Sequence, residues 1–223
     1  MKSPREIISE IRQTLPPDVR LVAVSKFHPA SMIEDAYAGG QRVFGENHVQ
    51  ELRQKYEILP KDIEWHFIGH LQTNKVKYIA PYVQLIHAVD SHKLLTEINR
   101  QAQRNNRVID CLLELHVAQE ETKFGFSPDE MYDYVRQAEW RQLQNVRICG
   151  IMCMASNTDD EARIASDFQQ AQQLFDRLKQ DFFATEESFS IRSWGMSDDY
   201  PIALRYGSNM VRIGSKIFGP RVY

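Results

Sequence analysis

Leu21-Val22-Ala23-Val24-Ser25-Lys26 is a short apolar run that ends in a lysine. Runs of about four to eight such residues are typical of a strand covered on both faces, as in a parallel sheet. The terminal charge has two interpretations. In the first, the strand reaches the surface and Lys26 is a solvated end residue. In the second, Lys26 shares the inner face with Val22 and Val24 and lies in a partly desolvated pocket.

The second interpretation gives Lys26 a chemical role. Burial disfavours the charged form of a lysine, so that the neutral amine becomes a nucleophile toward a carbonyl group. The pattern of residues alone leaves both interpretations of Lys26 open.

The rest of the chain alternates between strand and helix patterns. Strands are predicted at residues 21–26, 43–45, 65–69, 85–89, 111–117, 146–154, 189–194 and 210–214. Capping signals and apolar spacing predict helices at residues 3–16, 31–39, 46–59, 74–79, 91–104, 127–143 and 198–205, and a long helix capped by Thr158.

Eight strands separated by helices predict a single-domain (β/α)8 TIM barrel over residues 1–223. The alternative is an open doubly wound sheet, but no Gly-x-Gly-x-x-Gly follows the first strand. In a barrel, chemistry takes place at the carboxyl ends of the strands, where Lys26, Asn47 and Ser197 are predicted to lie.

The composition narrows the classes of partner. The chain is 43% hydrophobic with a net charge of -3, which predicts one sizeable core and no binding of nucleic acid. No signal peptide or membrane-spanning run is present in the sequence, so we expect a cytoplasmic protein without a membrane partner. We also expect a monomer. The three cysteines are expected to be reduced core residues, with Cys149 and Cys153 on one face of a strand.

Glycines follow the last two predicted strands. Gly195 or Gly214 alone is explained by a tight turn. Together, and with Arg212 on the strand face of Gly214, they indicate a phosphate site, which barrels commonly form after strands seven and eight.

A nucleophilic lysine opposite a phosphate site fits an aldehyde cofactor with a phosphate group, which is pyridoxal 5'-phosphate (PLP). Arg212 is the candidate to face the pyridine nitrogen. Because arginine stays protonated, it donates only to an unprotonated ring, which is a weaker electron sink. That chemistry disfavours transamination and suits a carrier or a racemase-like proton exchange.

Motifs along nearly the whole chain resemble one known family. They are Ala23-Val24-Ser25-Lys26, Phe44-Gly45-Glu46-Asn47, Trp65-His66-Phe67-Ile68-Gly69-His70-Leu71-Gln72 with Asn74-Lys75, Gly195-Met196-Ser197, and Val211-Arg212-Ile213-Gly214 with Ile217-Phe218-Gly219. In this order they are similar to the pyridoxal phosphate homeostasis family, whose members are single-domain barrels similar to the amino-terminal domain of alanine racemase.

The resemblance implies a role for each site residue. Lys26 would hold PLP as a Schiff base, and Arg212 would face the pyridine nitrogen. The phosphate would contact Gly214 and Ser215, with Met196 and Ser197 adding to the cradle, Ser193 nearby and Asn47 near the ring. The chain departs from the family pattern at Trp194, Ser215 and His116, where Met, Thr and Asn are usual.

Three histidines lie close to these motifs. His66 and His70 could approach one metal ion, but packing or hydrogen bonding of a loop is the favoured interpretation, so no metal is expected. His116 is either beside the cofactor ring or a hydrogen-bonded histidine inside the barrel.

The leading hypothesis is a carrier that takes part in intracellular vitamin B6 homeostasis, passes PLP to apo-enzymes and has no substantial turnover. This hypothesis rests on the family resemblance and on the end of the sequence at Tyr223, directly after the eighth predicted strand. Alanine racemases need a further β domain that supplies a second base, and no residues of this sequence remain to form one. Two alternatives stay open: a PLP-dependent amino-acid racemase, and an enzyme in which Lys26 forms a Schiff base with a phosphorylated sugar.

Overall fold

Parallel strands close into a barrel in this computed structural model, which describes residues 2–118 and 124–220. The eight strands are β1 (Arg20–Val24), β2 (Val43–Glu46), β3 (Glu64–Phe67), β4 (Leu85–Val89), β5 (Ile109–His116), β6 (Val146–Met154), β7 (Ile191–Ser193) and β8 (Met210–Ile213). They follow one another around the barrel in chain order, and β8 pairs with β1 to close it. The predicted TIM barrel is therefore confirmed.

Helices cover the outside of the barrel. In the described part of the chain they are α1 (Pro4–Thr14), α2 (Ala30–Ala38), α3 (Val49–Ile58), α4 (His92–Arg104), α5 (Pro128–Gln137), α6 (Glu161–Phe182), α7 (Tyr200–Arg205) and α8 (Ser215–Phe218). Short 3-10 helices occupy Thr73–Tyr78 and Glu139–Gln142. No helix within the described ranges is both long and apolar enough to cross a membrane.

Alternation along the strands divides the apolar residues between two clusters. Leu21 and Ala23 pack with the helices in the large outer cluster, whereas Val22 between them joins a small cluster on the inner face. Side chains of a strand point alternately to its two faces, so β1 contributes to both. The inner face also holds polar residues, and it is there that the site is built.

Several boundaries of helices and strands differ from the predictions. Glu46 ends β2 instead of starting a helix, and α3 begins at Val49. The second helix starts at Ala30 after Pro29, and not at Ser31.

Helix ends nearer the carboxyl terminus differ as well. The N-cap of α6 is Asp160, whose carboxylate accepts the amides of Ala162 and Arg163, and not Thr158. The helix predicted to reach residue 143 ends at Gln137, because Ala138 takes a left-handed conformation with φ 60°.

The prediction that Cys149 and Cys153 share a strand face is wrong. The pairing of β5 with β6 shifts so that Cys111 pairs with Ile148 but Leu112 pairs with Gly150, which leaves Cys149 as an extra residue. Cys149 belongs to the inner cluster and Cys153 to the outer one. All three cysteines are free and buried, as predicted.

A histidine pair occupies the inner face. Nε2 of His87 lies 3.0 Å from Nδ1 of His66, and both residues are fully buried. Burial lowers the pKa of His66 to about 3 and that of His87 well below its usual value, so both rings are neutral.

Metal binding is not supported for the histidines of this region. His70 pairs with Asp90 at 3.1 Å and is separate from the buried pair. The described residues contain no group of three or more His, Cys, Asp or Glu side chains that could hold a metal ion.

The buried histidine pair should make the fold sensitive to acid. The unfolded chain protonates His66 near its ordinary pKa of 6.5, whereas the folded chain does so only near 3. Stability from this residue is therefore present above pH 6.5 and is lost as the pH falls toward 3, by roughly 2 kcal/mol between pH 7 and pH 5. Urea denaturation at both pH values measures this loss.

His66→Gln is the matched variant, because the glutamine side chain can still form a hydrogen bond with His87 but does not titrate. The loss of stability between pH 7 and pH 5 should be smaller in the variant by about that 2 kcal/mol. An equal loss in both proteins would contradict the neutral, buried state of His66.

Candidate functional site

A cavity of about 240 Å³ opens at the carboxyl ends of the strands. Seven of the eight residues predicted for the site line it: Lys26, Asn47, Met196, Ser197, Arg212, Gly214 and Ser215. These residues come from the ends of β1, β2, β7 and β8, which barrel closure brings together. Ser193, the eighth, is fully buried and lies behind Arg212 instead of in the cavity wall.

Lys26 lies in the turn after β1, two residues beyond the last strand residue, Val24. Its side chain is half-buried and contributes to the cavity wall together with that of Val24. Of the two interpretations of this lysine, the structure supports the pocket and not the solvated strand end.

Arg212 is held rigidly at the base of the cavity, where it is 4% exposed. One terminal nitrogen donates to the backbone oxygen and to the hydroxyl of Ser193, both at 2.7 Å, and the other donates to the backbone oxygen of Cys153 at 2.9 Å. Burial lowers the pKa of Arg212, yet a guanidinium keeps its proton in proteins. The site therefore contains a fixed cation.

Ser193 connects this cation to the buried histidines. Because arginine can only donate, the Ser193 hydroxyl accepts from Arg212, and its oxygen also lies within hydrogen-bond distance of Nδ1 of His87, at 3.0 Å. On the other side of its ring, His87 is hydrogen-bonded to His66 between Nε2 and Nδ1. The role of Ser193 in this geometry is to orient Arg212.

The turns after β7 and β8 are tied to each other. The amide of Arg212 donates to the backbone oxygen of Gly195 at 3.0 Å, and the amide of Gly214 donates to the Ser197 hydroxyl at 3.3 Å. Gly195 has φ +93°, and a Cβ there would lie 2.7 Å from that of Ala203. Glycine is therefore required at Gly195 by both conformation and space.

Groups that could bind an anion follow from this arrangement. The amide of Met196 is already bonded to Asp199, so Met196 offers the cavity its side chain only. Ser197 keeps a hydroxyl hydrogen to donate, because its oxygen is the acceptor for Gly214. In α8 the amides of Ile217 and Phe218 donate to the backbone oxygen of Gly214, so only the amides of Ser215 and Lys216 have no acceptor in that turn.

Asn47 supplies an unsatisfied polar atom beside Lys26. Its side-chain oxygen is buried and has no hydrogen-bond partner among the described residues. Leaving such an acceptor unpaired costs about 1–3 kcal/mol. A bound molecule that donates a hydrogen bond would remove this cost, so Asn47 offers an acceptor to such a molecule in the cavity.

Sequence reasoning missed six residues of the cavity wall: Val24, His28, Ile68, Met154, Asp198 and Gly219. Ile68 follows the end of β3 and Met154 ends β6, so the strand-end rule applied to every strand would have found both. His28 is buried, and its pKa is lowered by burial and then by the charge of Lys55. His116 does not belong to this wall, and its buried Nε2 has no partner in the described part of the chain.

Comparisons with known proteins identify the family of this chain. The family described as alanine racemase, N-terminal domain, matches residues 5–222. The pyridoxal phosphate homeostasis protein of Aquifex aeolicus is 39% identical over 208 residues, which cover 92% of this chain and 88% of that protein.

Two solved structures are similar to the whole chain. PipY of Synechococcus elongatus PCC7942, solved with PLP bound, is 35% identical with a TM-score of 0.87, covering 97% of this chain and 100% of that one. The alanine racemase of Streptomyces coelicolor A3(2) is 17% identical with a TM-score of 0.78, covering 97% of this chain and 57% of that one, a similarity that supports the fold alone. The chain thus belongs to the pyridoxal phosphate homeostasis protein family and has the fold of the alanine racemase amino-terminal domain.

Proposed function

We propose that this chain binds PLP through Lys26 and takes part in intracellular vitamin B6 homeostasis as a carrier without substantial catalytic turnover. The observation that carries the proposal is the cavity itself, in which one half-buried lysine lies together with a fixed arginine and the turns after the last two strands. The relatives named for PLP homeostasis and the PLP-bound PipY support two parts of this proposal, PLP binding and a role in PLP homeostasis.

The residues present fit the three parts of PLP. When bound, PLP supplies an aldehyde that condenses with a primary amine and releases water. Lys26 provides that amine, and the unpaired oxygen of Asn47 provides an acceptor for a ring substituent. Ser197 and the amides at the start of α8 provide donors for the phosphate.

Arg212 favours a carrier over an enzyme that transaminates. Its guanidinium is fixed by Ser193 and Cys153 and stays charged, so it opposes protonation of a pyridine nitrogen placed against it. An unprotonated ring withdraws electrons weakly. We therefore assign Arg212 the role of holding the ring while limiting its reactivity. We expect the carrier to pass its PLP to apo-enzymes that use this cofactor.

Lys26→Ala tests the covalent assignment. The wild-type chain incubated with PLP should show a visible absorption band, and borohydride reduction should abolish the band and fix one PLP per chain on the peptide that contains Lys26. Lys26→Ala should show neither result, whereas Lys77→Ala, which removes an exposed lysine, should behave as wild type. Mass spectrometry of the reduced protein decides the question.

Two outcomes would count against this assignment. Reduction that labels another lysine would contradict the role of Lys26. A wild-type chain that stays colourless with PLP would favour the sugar-phosphate enzyme instead.

Ser197→Ala tests the phosphate cradle. Pyridoxal lacks the phosphate, so wild type should bind PLP far more tightly than pyridoxal. Charge-assisted hydrogen bonds contribute about 1.5–3 kcal/mol, so loss of one donor should weaken PLP binding roughly tenfold to a hundredfold. Pyridoxal binding should change little, and absorbance titration measures both affinities. Equal losses for the two ligands would place the phosphate elsewhere.

A PLP-dependent amino-acid racemase is the second candidate, because the same lysine could exchange a substrate proton. Incubation of the PLP-loaded chain with L-alanine or D-alanine in deuterated water should give no substantial racemisation. Robust turnover that disappears in Lys26→Ala would establish the racemase and refute the carrier.

A further inference from the structure

A buried lysine, Lys55 on α3, lies behind the turn that carries Lys26. Its side chain is 7% exposed, and its ammonium group reaches three acceptors. These are the backbone oxygen of Ser25 at 2.8 Å, a carboxylate oxygen of Glu46 at 2.7 Å and a carboxylate oxygen of Glu51 at 2.7 Å. An ammonium group has three N–H donors, so every donor of Lys55 is used.

The same network holds both neighbours of Lys26. On one side, the Ser25 hydroxyl donates to Glu46 at 2.6 Å, while the Ser25 amide donates to the backbone oxygen of Gly45 at 3.1 Å. On the other side, the Phe27 amide donates at 2.6 Å to the Glu51 oxygen that also accepts from Lys55. The peptide groups before and after Lys26 are therefore both anchored.

Phe27 needs this anchor because its backbone is strained. Its φ of 65° lies in the left-handed region, a backbone conformation that residues other than glycine and asparagine rarely adopt. A hydrogen bond from the amide to a carboxylate is stronger than a neutral one and offsets the strain. The turn that sends the Lys26 side chain into the cavity therefore depends on Glu51, which Lys55 in turn holds in place.

Stability alone is a weak explanation for such a network. Taking Lys55 and Glu46 out of water is costly, and well-packed apolar residues often stabilise a fold as well as a buried ion pair does. Burial raises the pKa of Glu46 to about 7, against the opposing charge of Lys55. The feature that apolar residues could not reproduce is the set of directional bonds to Ser25 and Phe27.

We propose that Lys55 is a positioning residue for Lys26: with Glu46 and Glu51 it fixes the turn at residues 25–27, so that the Lys26 amine enters the cavity where an aldehyde is to be bound. Lys55 does not line the cavity, and in this proposal it acts through the backbone of the turn that carries Lys26. The inference rests on the proposed function, because it assigns Lys55 a part in the same covalent binding.

Lys55→Met is the principal test, since methionine fills similar space and donates no hydrogen bond. Misplacement of a reacting group by about 1 Å can cost a hundredfold in rate, so we expect the rate of PLP attachment to Lys26 to fall about tenfold to a hundredfold. Stopped-flow absorbance measures that rate, and Lys77→Met, a change at an exposed lysine, is the matched control.

Pyridoxine 5'-phosphate separates positioning from general loosening of the site. This probe has an alcohol in place of the aldehyde, so it fills the cavity without reacting with Lys26. Lys55→Met should bind it as tightly as wild type while attaching PLP slowly. An equal weakening for the probe and for PLP would show a merely structural role and would overturn the proposal, as would a folded Lys55→Met with the wild-type attachment rate.

Two variants of Glu51 form a second test, because they leave Lys55 in place and so keep the ion pair between Lys55 and Glu46. Glu51→Gln keeps an acceptor for the Phe27 amide, whereas Glu51→Ala removes it. The rate of PLP attachment should fall in the alanine variant and should be close to wild type in the glutamine variant. A wild-type rate in both variants would refute the proposal, even if Lys55→Met did not fold. A wild-type chain that fails to attach PLP to Lys26 would instead refute the proposed function.

Discussion

Closure of the sheet between β1 and β8 is the constraint on which the site depends. It pairs Val22 with Arg212 and Ala23 with Ile213, and so brings the first and last strands of the chain side by side. Lys26 follows one of these strands and Gly214 follows the other. A Cβ on Gly214 would lie 3.0 Å from the backbone oxygen of Val24, so close approach of the two strand ends favours a residue without a side chain.

Two polar networks support the site, one at β6, β7 and β8 and the other at β1 and β2. Arg212 binds acceptors on β6 and β7 while it belongs to β8, so one side chain ties three strands together at the base of the cavity. Lys55 and its two carboxylate partners perform the corresponding task under β1 and β2. Each network contains a buried cation that donates three hydrogen bonds to protein oxygens, which offset the cost of removing it from water.

The sequence allowed the barrel and most of the cavity to be predicted, because both follow local patterns. Alternating strands and helices indicate the fold, and residues just after the strands, such as Lys26 and Ser197, lie at one end of it. Features set by contacts between distant residues could not be predicted. A lysine on a helix normally faces water, and only the tertiary structure shows that Lys55 is buried against Glu46.

Two further differences have the same origin. The shifted pairing of β5 and β6, which reverses the face of Cys149, depends on both strands together. In the sequence, Gly150 is the one residue that indicates it. Ser193 ends β7 and therefore matches the strand-end pattern of the cavity residues. In the structure, however, the guanidinium of Arg212, which Ser193 orients, lies between it and the cavity. Local patterns therefore locate the end of the barrel where the site lies, while tertiary contacts decide which side chains reach the cavity.

A crystal structure of the chain grown with PLP would show whether Lys26 holds the cofactor. We expect continuous density from Nζ of Lys26 to the cofactor, with the pyridine nitrogen facing Arg212 and the phosphate between the turns that follow β7 and β8. PLP attached to another lysine, or a Lys26 side chain directed into bulk solvent away from Arg212, would contradict it.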